Sequence, residues 1–163
     1  MLLKKLIKNC PKKLSNITVT GLSSDTRKLK KGNLFFALKG SRNNGEKYIK
    51  EALRIGACAV ISSGSKTKSL KIIKVKNIRD YLGKICSKFY INKPKNIIAV
   101  TGTNGKSSVA DFFHQILTLN HLSVATIGTL GIKTKKIRKI NLTSPDIISL
   151  HKELNYLKEK KID

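Results

Sequence analysis

The sequence predicts an α/β fold arranged as two consecutive domains. Short buried apolar runs alternate with stretches of helical spacing, the pattern of a parallel sheet crossed by helices. A glycine loop follows directly on an apolar strand and opens an amphipathic helix, as in α/β domains that hold phosphate groups. The hydrophobic share is 40% across 163 residues, enough to bury a core and to set aside a disordered chain.

In chain order, residues 17–20 alternate like a short strand, and Gly21-Leu22-Ser23-Ser24-Asp25-Thr26-Arg27 has the composition of a polar loop. Lys31-Gly32-Asn33 is a turn into Leu34-Phe35-Phe36-Ala37-Leu38, whose unbroken apolar character suits a strand buried on both faces. Residues 40–45 form another loop. Ile49, Ala52, Leu53 and Ile55 then share one helical face, and Gly56 supplies the stop. Ala57-Cys58-Ala59-Val60-Ile61 is a second buried strand. Strand, helix and strand in that order make a βαβ unit, so the sheet is expected to be parallel. Residues 70–75 give a further strand, and Ile78, Leu82, Ile85, Cys86 and Phe89 line one face of a helix.

Asn92-Lys93-Pro94-Lys95 breaks the pattern, which divides the chain into domains 1–93 and 94–163. The second domain is expected to begin with a buried strand, Ile97-Ile98-Ala99-Val100. A helix follows the glycine loop with Val109, Phe112, Phe113, Ile116 and Leu117 on its inner face. Residues 123–127 are the next strand, residues 132–140 a basic hairpin, and Pro145 opens a last helix carrying Ile147, Ile148, Leu150, Leu154 and Leu157. At about 70 residues this domain is smaller than the usual 100–150, so it is expected to be incomplete.

The charge points toward polyanions but not toward sequence reading. Thirty-four basic residues against nine acidic ones give +25. Only Arg27, Arg42, Arg54, Arg79 and Arg138 are arginine, the residue suited to bidentate base and phosphate contacts, and lysine is spread evenly with many Ile and Asn. That is the signature of an AT-rich coding sequence. Weak, salt-sensitive attraction to polyanions is expected, without specific nucleic-acid binding. The opening Met1-Leu2-Leu3-Lys4-Lys5-Leu6-Ile7-Lys8 breaks its apolar residues with lysines, unlike a secretory signal, and no run spans a membrane. A cytoplasmic location with no membrane partner is expected. Cys10, Cys58 and Cys86 lack metal-ligand spacing and suit free thiols in a reducing compartment. His114, His121 and His151 have no partner pattern and suit packing or surface roles.

Chemistry concentrates in Val100-Thr101-Gly102-Thr103-Asn104-Gly105-Lys106-Ser107-Ser108. Glycines let a backbone turn tightly and bring N–H groups against phosphate oxygens, while the helix N-terminus adds partial positive charge at the same point. Lys106 suits the β- and γ-phosphates of ATP, and the Ser107 hydroxyl suits Mg²⁺. The spacing is the short form G-x-x-G-K-S, because Val100 stands where the longer G-x-x-x-x-G-K-S form requires glycine. A glycine turn with an incidental lysine would have to combine strand, two glycines, Lys-Ser and helix by chance.

This loop is similar to the T-G-T-N-G-K-T-T loop of the Mur ligases and their folylpolyglutamate synthetase relatives. Asp25-Thr26-Arg27, the stretch from Gly32 through Gly40, and Gly56-Ala57-Cys58-Ala59-Val60 resemble the small N-terminal α/β domain with which that family grips a uridine nucleotide. Thr126-Ile127-Gly128-Thr129-Leu130-Gly131 and Leu142-Thr143-Ser144-Pro145-Asp146 resemble the branch that adds the third residue of the peptidoglycan stem peptide. The resemblance implies an ATP-dependent, amide-forming ligase of cell-wall synthesis acting through an acyl phosphate. Its substrates would be UDP-N-acetylmuramoyl-L-alanyl-D-glutamate and a diamino acid, its cofactors ATP and Mg²⁺, and its state a monomer. By position, Gly102, Thr103, Asn104, Gly105, Lys106, Ser107 and Ser108 would hold ATP, with Lys106 stabilising the transferring phosphoryl charge and Ser107 on the metal. Ser24, Thr26, Ser41, Arg42 and Asn43 would meet the uridine nucleotide, and Thr143 and Ser144 the muramoyl part.

Several positions depart from the family pattern. Thr26 stands for serine, and Ser107 and Ser108 for two threonines, all keeping the hydroxyl; Leu142 stands where many members have Asn. The family's second metal site and its amino-acid-selecting domain have no counterpart before Asp163, so the chain alone is expected to be inactive, and meso-diaminopimelate and L-lysine are not distinguished. Two other readings compete. The ligase branch that adds the terminal dipeptide shares the N-terminal pattern and the loop. A non-catalytic nucleotide- or polyanion-binding module would suit the charge.

Overall fold

A computed structural model describes residues 1–40, 44–64, 66–128, 131–134, 137–138 and 146–163. Two compact units divide the chain, Met1–Phe89 and Tyr90–Asp163. The chain is α/β, with an all-parallel sheet in the first unit.

That sheet has the order β1 (Gly21–Ser23), β2 (Asn33–Phe36), β3 (Ala59–Ser62), β4 (Ile72–Lys74). Leu34 pairs with Leu22 on one side and Ala59 on the other. All four residues of β2 and all four of β3 are buried, as central parallel strands covered on both faces must be. Phe35, Ala37 and Val60 pack with Ile49 and Ala52 of the helix α2 (Ile49–Ile55), joined by Leu29 and Ala57. Leu34, Phe36 and Ile61, at the alternate positions, are fully buried on the opposite face. The edge strand β4 carries Lys71 and Lys74 at its margins, charges that discourage further pairing.

The helices stop and start where their caps dictate. Gly56 ends α2 at φ 106°, its N–H bonded to the carbonyls of Ala52 and Leu53. Asn77 opens the next long helix, Ile78–Phe89, by accepting the N–H groups of Arg79 and Asp80 at 3.1 and 3.2 Å. Its buried face is Ile78, Leu82, Ile85 and Cys86, as the spacing predicts. Cys58 is buried like Cys86, and Cys10 is half-buried; none of the three is in a disulfide.

The N-terminal region corrects the sequence reading. Residues 17–20 do not join the sheet; Leu2 bridges Thr18, and Val19 N–H bonds to the Met1 carbonyl at 2.8 Å. The ladder strand begins at Gly21, within the expected polar loop. A short helix, α1 (Leu3–Leu6), buries Leu3 and Leu6, and its Leu3 N–H bonds to the Ile17 carbonyl at 2.8 Å. Glycine suits the first position of β1 because Asn33 crowds it, and a Cβ there would lie 2.8 Å from the Asn33 side-chain oxygen.

In chain order the Ile78–Phe89 helix is α3, and the second unit contains α4 (Lys106–Leu119), β5 (Thr126–Gly128), β6 (Gly131–Lys133), β7 (Ile137–Arg138) and α5 (Ile147–Glu159). The strands form an antiparallel meander, with Ile127 opposite Ile132 and Lys133 opposite Ile137. The basic hairpin is thus present in its described residues. The strand before it, expected within 123–127 as part of a parallel sheet, is antiparallel and begins at Thr126. Asp146 caps α5 through the Ser149 N–H at 3.0 Å, and Ile148 and Leu157 are buried. Pro145 lies outside the described residues.

Residues 97–100 join no ladder among the described residues, and Ile97 and Ile98 are exposed. A parallel strand exists only through the neighbours that share its hydrogen bonds, and the described strands of this unit pair with one another instead. The expected inner face of α4 is likewise uncovered: Val109, Phe112, Phe113 and Ile116 are exposed and Leu117 is half-buried.

Gly45 tests how tightly the first unit is built. Its N–H bonds to the Leu38 carbonyl at 2.8 Å, and an added Cβ would lie 2.6 Å from that oxygen and 2.7 Å from the Leu38 nitrogen. Gly45→Ala is expected to destabilise this unit by about 1–3 kcal/mol, the usual range for overpacking. Urea unfolding followed by circular dichroism should show the loss; an unchanged midpoint would contradict the contact.

Candidate functional site

The glycine loop is set by two backbone conformations and one lysine. Gly105, at φ 76°, is the N-terminal cap of α4, and Gly102 has φ 153°. Both angles disfavour residues with a Cβ. Nothing lies within 4 Å of a Cβ built on Gly105, so the space over the helix start is open to an incoming group. Val109 N–H bonds to the Gly105 carbonyl at 3.0 Å. The first N–H groups of a helix in general lack an acceptor one turn back, the property of helix starts that attracts anions.

Lys106 folds back over this loop. Its Nζ donates to the Gly102 carbonyl at 2.5 Å and to the Thr103 carbonyl at 3.1 Å. The ammonium is therefore held beside the two glycines with no carboxylate partner in these contacts. Thr101 through Ser108 are exposed. Glycine cradle, helix start, ammonium and the Ser107 hydroxyl together fit a nucleotide phosphate with its magnesium ion. Among the described residues no cluster of three or more His, Cys, Asp and Glu side chains offers an all-protein metal site.

The same helix is anchored further along. Asp111 accepts from Lys133 Nζ on β6 at 2.5 Å and from Gln115 at 2.6 Å, and the Lys133 bond holds its carboxyl below the usual range. His114, one turn on, is 6% exposed and its Nε2 has no hydrogen-bond partner among the described residues. Burial, with the Lys133 charge adding, pushes its imidazole toward the neutral form. His151 on α5 is lowered too, by burial and then Lys93, and its Nδ1 is also unpartnered.

A second candidate site lies at the carboxyl edge of the parallel sheet, where ligands of open α/β sheets bind. Ser24 and Thr26 stand just beyond β1 and are half-buried. Ser23 Oγ donates to the Asp25 carbonyl at 2.8 Å. Asp25 caps the turn Thr26–Lys28 through the Arg27 N–H at 3.0 Å and grips the Arg27 guanidinium at 2.7–3.1 Å. The side-chain bond from Arg27 is the main reason the Asp25 carboxyl lies below its ordinary value. Ser41, Arg42 and Asn43 lie outside the described residues, as do Thr143 and Ser144 and the motif residues Thr129, Leu130 and Leu142. Sequence reasoning missed Glu46, whose carboxylate accepts from the Ser62 hydroxyl and from the N–H groups of Ser63 and Gly64. An acidic residue in a chain so rich in lysine was the available signal.

Two family models match consecutive stretches: the Mur ligase family, catalytic domain, over residues 18–90, and the Mur ligase middle domain over residues 100–163. Among curated proteins, the UDP-N-acetylmuramoyl-L-alanyl-D-glutamate--2,6-diaminopimelate ligase of Rhizobium meliloti is 38% identical over 151 residues. The ligases of the same name from Rickettsia bellii and Clostridioides difficile are each 39% identical, over 150 and 153 residues. These matches cover 89–91% of this chain and 31% of each relative, so the chain spans about a third of their length. A solved structure of a ligase of that name superposes with a TM-score of 0.83 over 99% of this chain and 34% of its own, at 24% identity, which is a likeness of fold. The MurF ligase from Thermotoga maritima in complex with ADP gives 0.54 over 66% of this chain and 25% of its own, at 30% identity.

The two lowered histidines give the second unit a pH dependence. An unfolded histidine takes up its proton near pH 6.5, whereas the folded ones resist it to lower pH. Their contribution to stability is therefore full above about pH 6.5 and declines as pH falls through that value toward the folded-state pKa. Thermal melts at about pH 7.5 and 5.5 should show the decline, and His114→Leu with His151→Leu should flatten it. An equal decline in the double variant would assign it elsewhere.

Proposed function

The chain belongs to the Mur ligase family, and from that premise we propose that it forms the substrate- and ATP-binding front of a ligase that adds the third amino acid to UDP-N-acetylmuramoyl-L-alanyl-D-glutamate. Because it spans about a third of its relatives, ligation is assigned to a protein of the relatives' length. The proposed amino acid is 2,6-diaminopimelate, for which the relatives are named. The reading implies a cytoplasmic enzyme of peptidoglycan synthesis. Among the described residues no helix is long and apolar enough to cross a membrane.

The observation that carries this reading is the loop of residues 102–108, with two glycines in conformations that favour glycine, an open helix start and an ammonium held beside them. Bound ATP and Mg²⁺ would supply the phosphoryl group and its charge neutralisation. Lys106, now on the Gly102 and Thr103 carbonyls, would hold the phosphates together with the N–H groups at the start of α4, and the Ser107 hydroxyl would hold the metal. In the first unit, Ser24 and Thr26 are assigned to the uridine nucleotide, with Ser41, Arg42 and Asn43; Thr143 and Ser144 are assigned to the muramoyl part. The amide forms when the incoming amine displaces phosphate from the activated carboxyl group, so the protein must bring two anions together and hold the amine in line.

The dipeptide-adding ligase is the nearest competing activity. The relatives that are 38–39% identical over 89–91% of this chain are named as 2,6-diaminopimelate ligases, which supports the third-residue reading.

In a protein of the relatives' length, Lys106→Ala is expected to lower ligation by about 100-fold or more, since it removes a charge aimed at the transferring phosphoryl group. The assay is phosphate release with ATP, Mg²⁺ and UDP-N-acetylmuramoyl-L-alanyl-D-glutamate, compared with and without 2,6-diaminopimelate. Near-normal turnover of the variant would sink the loop assignment. Release that depends on D-alanyl-D-alanine and UDP-muramoyl tripeptide would select the other ligase.

A further inference from the structure

From the contacts at the sheet's carboxyl edge we infer that Glu46 is a positioning residue for the uridine-nucleotide site, tying the outlet of β2 to the outlet of β3; the inference rests on the function proposed above. Ser62 Oγ donates to both carboxylate oxygens at 2.7 and 2.8 Å, and the N–H groups of Ser63 and Gly64 donate to Oε1 at 3.2 Å each. Bonds to an ionised carboxylate are stronger than neutral ones, and here they join residues 16 to 18 positions apart.

Glu46 is itself fixed from behind. Its N–H donates to the Asn44 side chain at 3.1 Å, and Asn44 bridges Lys39. The Gly45 N–H bonds to the Leu38 carbonyl, in a space that admits no Cβ. Arg79, just inside α3, donates to the Lys39 carbonyl at 3.1 Å. Lys39 is thus held toward α3 by Arg79, and Glu46 toward β3 by Ser62, Ser63 and Gly64. Two successive N–H groups such as those of Ser63 and Gly64 form a concavity suited to an anion. Here the chain's own carboxylate fills it, so these groups fix the backbone of the β3 outlet and do not reach for a ligand. Preorganising the wall of a binding site raises affinity by removing the cost of ordering it on binding.

The test measures UDP and ATP affinity by calorimetry for the unsubstituted chain, Glu46→Gln and Ser62→Ala, at a temperature where circular dichroism shows each fully folded. Glu46→Gln keeps the shape but turns an amide toward N–H donors. It should weaken UDP binding about tenfold, the scale of one charged hydrogen bond, while ATP affinity stays within about twofold. Ser62→Ala should weaken UDP binding by a smaller factor, about threefold. A purely structural role would lower the melting temperature and leave the folded chain's UDP affinity unchanged, and that result overturns the inference. If Glu46→Gln does not fold, Ser62→Ala decides alone, with unchanged UDP affinity again overturning it. Failure of the unsubstituted chain to bind UDP would instead overturn the uridine-nucleotide reading and this inference with it.

Discussion

The pairing of β2 with β3 is the constraint on which the first unit depends. Parallel strands cannot be joined by a tight turn, so the chain must leave β2, cross over as α2 and return before β3 begins. Both faces of the pair are then covered, which is why every residue of β2 and β3 is buried. The same geometry delivers all the strand outlets to one edge. Groups distant in sequence gather there: Ser24 and Asp25 lie beyond β1, and the Glu46 carboxylate, after β2, meets the Ser62 hydroxyl and the Ser63 and Gly64 N–H groups at the end of β3. The candidate uridine-nucleotide site is a by-product of parallel topology.

The phosphate loop depends on a different kind of constraint, one that is almost wholly local. Its form is dictated by two glycines, a helix start and a lysine three and four residues from the carbonyls it touches. Such a loop needs little from the rest of its unit. That explains how it keeps its shape where residues 97–100 join no ladder among the described residues and the apolar side of α4 is exposed. The Asp111–Lys133 ion pair fastens α4 to β6, but both partners are partly exposed, so its contribution is small and salt-sensitive.

The excess of lysine is not concentrated on either candidate site. At the sheet edge the ordering contacts are made by Asp25, Arg27, Glu46 and Arg79, three of the four through bonds to backbone groups. Lysine serves the phosphate loop once, at Lys106. A strongly basic chain thus uses its few carboxylates and arginines for fixed geometry, as their planar, multi-acceptor or multi-donor groups allow, while most lysines are solvated.

By itself the sequence determined what depends on neighbours a few residues away. Gly56 stops α2 because a left-handed residue is needed there, α3 buries the face its spacing assigns, and residues 102–108 form a glycine loop at a helix start. Continuous apolar runs also identified β2 and β3, since only strands covered on both sides tolerate them. Tertiary structure decided what depends on partners far away. Met1 to Leu3 pair with residues 17–19, and β1 begins at Gly21, in a stretch with the composition of a loop. The strand after α4 pairs antiparallel with β6, the strand that follows it directly in the chain. Glu46 gains its place only when a parallel sheet sets the end of β3 beside the segment leaving β2. Local conformation is written in residue identity, but the pairing of edges and the meeting of loop ends are properties of the assembled chain.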